Sequence, residues 1–180
     1  IGDVPDSAFY NSILLFRADS SIQLLESRVA EGFTDKSAIK ENLRNGFRQL
    51  KFHFPNSKFP TEVVFLNTLF TAGVFCTEKE IGIGLERFLG DSCDFIQKLN
   101  SQYYFDWMKE AMDVRYLERD VLTGWIETHF VESVSGNLAE KIIRWGKVLY
   151  LVEASFPKMN PAIIMRYSDA DFDWAEENEE

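Results

Sequence analysis

The stretch from Asn137 to Pro157, NLAEKIIRWGKVLYLVEASFP, leaves this chain least conformational choice. Leu138, Ile142, Trp145, Leu149, Val152 and Phe156 recur at spacings of four and three, which puts them on one stripe of a helix of about six turns. A stripe of that length demands a core to bury it. Asn137 with Glu140 three residues on has the form of a capping box, and Pro157 stops the helix just past its last apolar position.

Twenty-six aromatic residues, 16 of them Phe, give the rest of the chain enough bulk to supply that core. The formal charge of −10 is local: Asp169 to Glu180 holds seven acids and no base, which leaves 22 acids against 19 bases in the body. With no basic face, phosphate-driven nucleic-acid binding is excluded as the expected activity. Cys76 and Cys93 match no CxxC spacing, so a zinc cage is not indicated and two unpaired, hydrophobe-like cysteines are expected. No apolar run reaches the roughly 18 residues that a membrane span requires. The chain begins at Ile1 rather than Met, which suggests a processed or a trimmed chain, so the lack of a signal-type apolar segment does not settle localisation.

Along the chain, residues 7–31 carry apolar groups at helical spacing and read as one or two helices. Ile39, Leu43, Phe47 and Leu50 place a clear amphipathic helix in Asp35–Phe52, ended before Pro55. The composition then turns β-branched and aromatic. Val63–Leu66, a run through Leu69, Phe70, Val74 and Phe75, and Glu80–Glu86 are predicted as three short strands. The third alternates Ile81, Ile83 and Leu85 with Gly82 and Gly84, so one face is almost bare and open to close approach. Asp91 with Asp94 marks a helix start, Trp107–Met112 a short helix, and Val114–Val131 an amphipathic helix closed by a Ser133–Gly136 loop. After the long helix come a short piece at Ala162–Met165 and a last helix capped by Ser168 with Asp171. The count gives an α+β fold, mostly helical with a small sheet of about three strands, as a single domain over residues 1–180.

The catalytic motifs fail one by one. Gly82-x-Gly84 lacks the third glycine of a dinucleotide loop, where Arg87 stands. Asp169, Asp171 and Asp173 hint at a calcium loop, but Trp174 takes the place of its turn glycine. Among the histidines, His53 and His129, none has a partner four residues away, so the two-histidine face of an HExxH helix cannot form. No serine sits in a G-x-S-x-G elbow.

Four blocks carry a resemblance: LKFHFPNSKFPT (50–61), IGIGLERFLGD (81–91), IIRWGKVLYLVEASFPK (142–158) and MRYSDADFDWAEENEE (165–180). In this order and spacing they resemble the gliding motility-associated lipoprotein B family of Bacteroidetes. The resemblance implies a periplasm-facing envelope lipoprotein, in the inner or outer membrane, held by an acylated cysteine upstream of Ile1 and associated with motility and secretion. The family usually continues past the Asn-Glu block with a further segment. It is in turn similar to zincin-like peptidases, with Asp120–Phe130 where the HExxH helix would be and Trp145-Gly146 where a Glu-Gly ligand pair would be. The ligand positions are lost, which implies a degenerate zincin-like pseudoenzyme with no cofactor and no metal.

That resemblance leads to a binding role: a cleft between the glycine-bearing strand and the long helix, taking an envelope protein or peptide. The cleft residues are Gly82, Gly84, Trp125, His129, Trp145, Lys147 and Tyr150, with strand addition along Ile81–Leu85 as the expected mode. Lys147 and Tyr150 could equally be a solvent-facing lysine and a rim tyrosine. The alternatives are a residual zinc peptidase using His129 with Glu127 or Glu153, and a small-ligand pocket lined by Trp107, Trp125 and Trp145.

Overall fold

The computed structural model describes residues 7–132 and 136–179, so most of the expected Ser133–Gly136 loop lies outside the described residues. By its contacts the chain divides into two compact units, Ile1–Thr34 and Asp35–Glu180. In the first unit α1 (Ser7–Ala18) is followed by α2 (Ser20–Gly32). Asp19 separates and caps them: its Oδ1 accepts from the Ser21 N–H at 2.8 Å and the Ile22 N–H at 3.3 Å.

The second unit is α+β, and the described residues as a whole are 60% helical with a three-stranded mixed sheet. α3 (Ser37–His53) buries Ile39, Leu43 and Leu50, the spacing that its sequence announces. The strands are β1 (Glu62–Leu66), β2 (Val74–Cys76) and β3 (Glu80–Gly84), in the order β1-β3-β2. β3 pairs parallel with β1, Val63 opposite Ile81, and antiparallel with β2, Val74 opposite Ile83. A 3-10 turn, Leu85–Phe88, follows β3 directly.

Two short helices, α4 (Asp94–Gln97) and α5 (Asp106–Glu110), lead to a 3-10 turn at Val114–Tyr116 and then to α6 (Leu117–His129). α7 (Leu138–Ser155), α8 (Pro161–Met165) and α9 (Asp169–Glu177) complete the fold. Local chemistry sets the ends of these helices. Asn137 Oδ1 accepts from the Glu140 N–H at 3.1 Å, and Ser168 Oγ from the Asp171 N–H at 3.1 Å.

α3, α6 and α7 pack on one another, and α6 also lies against β2 and β3. The core concentrates there, with Ile81, Ile83, Leu117, Val121, Leu122, Trp125, Ile126, Val148 and Val152 all buried. Gly124 lets α6 close on the sheet: a Cβ there would meet Val74 Cγ1 at 3.2 Å and Cys76 Sγ at 3.6 Å. Burial pushes the Cys76 thiol up to about 11.

Three expectations are corrected. Leu69 and Phe70 are not strand; they turn with positive φ of 52° and 63°, and the second strand begins only at Val74. The close approach to Gly82 and Gly84 does occur, but this chain supplies it. The Phe75 ring lies on Gly82, and Ala72 O and Thr68 crowd Gly84. Because β3 is central and paired on both sides, no peptide can add a strand along Ile81–Leu85.

The third correction concerns the long helix. Its buried positions are Val148, Val152 and Ser155, on one flank of the apolar stripe, while Leu138 is 73% and Ile142 62% exposed. The core therefore grips the C-terminal half of α7. The stripe in the other half is left uncovered.

Candidate functional site

α6 stands between the sheet and α7, so Gly82 and Gly84 do not face Lys147 and Tyr150 across a cleft. The seven expected site residues fall into four places. Gly82 and Gly84 lie buried in the sheet. Trp125 is buried edge-on to Phe47 of α3, ring centroids 6.1 Å apart, and His129 covers its other side at 4.0 Å. The His129 Nε2–H donates to Thr77 O at 2.9 Å, fastening the end of α6 to the turn between β2 and β3. The histidine thus acts as a clasp on the sheet.

Lys147 and Tyr150 do share a groove. It measures about 690 Å³ and is lined by Phe54, Phe130, Ile143, Arg144, Lys147 and Tyr150 among others. Its floor is aromatic, with Phe54 and Phe130 edge to face at 5.3 Å. Arg144 fixes one wall by bonding Glu127 Oε1 at 2.9 Å and Glu132 O at 3.0 Å. Ile143 and Tyr150 stay 59% and 68% exposed at the rim. A groove with apolar floor, exposed aliphatic rim and a mobile-stemmed lysine suits a protein or peptide surface better than a small polar substrate.

Trp145 is on the other side of α7, where the Arg119 guanidinium lies 5.7 Å from its ring centroid. Arg119 is buried, with its Nε–H donating to Ile164 O at 3.0 Å and an NH1 hydrogen to Asp120 Oδ1 at 2.9 Å. Burial lowers its pKa, and Asp120 acts against that shift. Arg166 also pairs with Asp120 and stacks on Tyr116 at 4.9 Å. One carboxylate thus holds two guanidinium groups beside α7.

A further carboxylate, Glu86, is fully buried in the turn after β3. Its Oε1 accepts from the Thr68 N–H at 2.7 Å and the Phe70 N–H at 3.2 Å and meets Thr68 Oγ1 at 2.5 Å. Oε2 has no partner among the described residues. The positive-φ turn at Leu69 and Phe70 aims those two N–H groups at the carboxylate.

The sequence carried signals for these charges that periodicity passes over. Arg119 stands three before Leu122 and seven before Ile126, on the apolar stripe itself, and Glu86 interrupts the apolar run Ile81–Leu89. A charge placed in phase with core positions is a buried charge in waiting.

For zinc, His129 bonds the backbone and Glu127 is paired with Arg144. Among the described residues no group of three or more His, Cys, Asp or Glu is placed to hold a metal ion. The three tryptophans lie apart: Trp125 in the core, Trp145 against Arg119, and Trp107 on the rim of a small pocket with Arg87 and Arg166. No described helix is long and apolar enough to cross a membrane.

A family model described as gliding motility protein GldB matches residues 2–180. No curated protein and no solved structure matches the chain.

Proposed function

This chain belongs to the gliding motility protein GldB family, a family of lipoproteins, and from that premise we propose that it is a non-catalytic binding module of the cell envelope. It faces the periplasm of a Bacteroidetes-type cell from a lipid anchor and captures an envelope protein or peptide in the groove along α7. The observation that carries this reading is the uncovered side of α7. Ile143 and Tyr150 are more than half exposed at the rim of an aromatic-floored groove, and Leu138 and Ile142, on the neighbouring stripe, are more than half exposed as well. Apolar side chains left exposed at the rim of such a groove favour an interaction site.

The zincin-like ancestry belongs to the same proposal. In that reading the space between α6 and α7, where a peptidase keeps its metal, is held by the Arg119 guanidinium against Trp145.

The test is capture from envelope extract by the intact lipidated protein. Ile143→Asp and Tyr150→Ala should reduce recovery of the captured partner at least tenfold with unchanged circular dichroism. Unchanged recovery by both variants removes the groove from the proposal. Stoichiometric bound zinc together with peptide hydrolysis overturns the non-catalytic reading.

A further inference from the structure

Away from the α7 groove, and sharing no residue with it, lies a pocket of about 100 Å³ lined by Gly73, Arg87, Phe88, Trp107, Met108, Ala111, Met112, Asp120 and Arg166. That volume is about three waters' worth, too small for a cofactor and enough for one small polar group.

Its charges set which group. Arg166 shares Asp120 with Arg119. Arg87 forms no ion pair with an acid among the described residues: its NH1 donates to Phe70 O at 2.9 Å and its guanidinium lies 5.9 Å from the Tyr104 centroid. Arg166 Nε is buried and without a hydrogen-bond partner in the described residues. Two arginines and one aspartate give the lining a net charge of +1 in a chain whose total is −10. Arg166 ends α8 in the left-handed region with φ of 58°, and its N–H donates to Ile163 O at 3.2 Å.

The geometry points to a binding site for a single carboxylate group of a peptide, held by Arg87 and Arg166 with the adjoining chain lying over Trp107. The planar fork of a guanidinium matches two carboxylate oxygens. Phe88, Met108 and Met112 give the rest of the wall an apolar surface, which disfavours a strongly hydrated dianion such as phosphate. Trp107 is 66% exposed at the mouth and available as a stacking platform.

The site does not depend on the α7 groove, so either can fail while the other stands. The probes are an N-acetylated tripeptide with a free C-terminal carboxylate, the same tripeptide amidated, an amidated tripeptide carrying one glutamate, and inorganic phosphate. Each is titrated by calorimetry and by tryptophan emission. At least one carboxylate peptide should bind and change the emission, and the neutral amide should not; the pair of acidic peptides decides between chain end and side chain as the source. Arg87→Met should weaken binding at least tenfold. Should that variant fail to fold, Arg87→Lys, which keeps the charge and loses the fork, and the exposed Trp107→Ala carry the same expectation. Lys147→Met, in the other groove, should leave the affinity unchanged. No binding by either acidic peptide, equal binding by the neutral amide, or indifference to the Arg87 and Trp107 variants overturns the proposal. Phosphate binding as tightly as the peptides overturns the carboxylate assignment.

Discussion

The ring of Phe75 lies directly on Gly82, so that a Cβ on the glycine would stand 2.0 Å from Phe75 Cζ. The two residues are paired across β2 and β3, and the aromatic ring replaces the side chain that the glycine lacks. At Gly84 the neighbours are different: Ala72 O at 2.4 Å is backbone, and Thr68 Oγ1 at 2.8 Å belongs to the Glu86 cradle.

That contrast orders two substitutions. Phe75 is 43% exposed and can swing outward, so Gly82→Ala is expected to cost about 1 kcal/mol. Gly84→Ala must displace backbone and is expected to cost about 3 kcal/mol. Urea denaturation of both variants checks the order, and adding Phe75→Leu should rescue only the first.

Glu86→Ala leaves the N–H groups of Thr68 and Phe70 without their acceptor inside the protein. A loss of about 3 kcal/mol is expected, together with faster hydrogen exchange at those two amides. Exchange that rises uniformly over the sheet would show that the carboxylate does not organise the loop.

Asp120→Asn removes the charge that holds Arg119 and Arg166 together. Breaking a buried pair strands its partner, and here a cost of at least about 3 kcal/mol is expected. A double-mutant cycle with Arg166→Met should return a coupling energy clearly above the values of exposed ion pairs.

On α7 the exposure pattern can be tested with one charge at two positions. Ile142→Asp, on the uncovered stripe, should change stability by no more than about 0.5 kcal/mol. Val148→Asp should abolish cooperative folding, because its side chain is fully buried. Similar thermal midpoints for the two variants would contradict the placement of the helix.

The Cys76 thiol, raised to about 11 by burial, should resist iodoacetamide at pH 8 and react as the pH approaches 11. Linkage has a definite sign here. An unfolded thiol ionises near 9.0 and the folded one near 11, so this group adds nothing pH-dependent below 9 and lowers stability as pH rises from about 9 to 11. Mass spectrometry of alkylated peptides and denaturation across that range check both statements.

Much of this molecule could be read from local rules. The caps at Asn137 and Ser168 and the helix of Ile39, Leu43 and Leu50 depend on neighbours within one turn, and the sequence states them. The family, too, was legible in four blocks of sequence. What could not be read depends on distant partners. Periodicity reports which residues of α7 share a stripe, but the angle at which the core meets that stripe is set by α3 and α6. Likewise, a bare glycine face says that something approaches, and only the strand order reveals that it is Phe75. Lys147 and Tyr150 fell in one groove because helical spacing put them there; Arg87 and Arg166, nearly 80 positions apart, met only through the fold.

The strand order also imposes a timetable. β1 and β2 are separated by the seven residues 67–73, close enough to find each other first as a hairpin, yet natively they never touch because β3 lies between them. As the chain emerges from the ribosome, the wedge arrives last of the three. Any hairpin formed early must reopen to admit it.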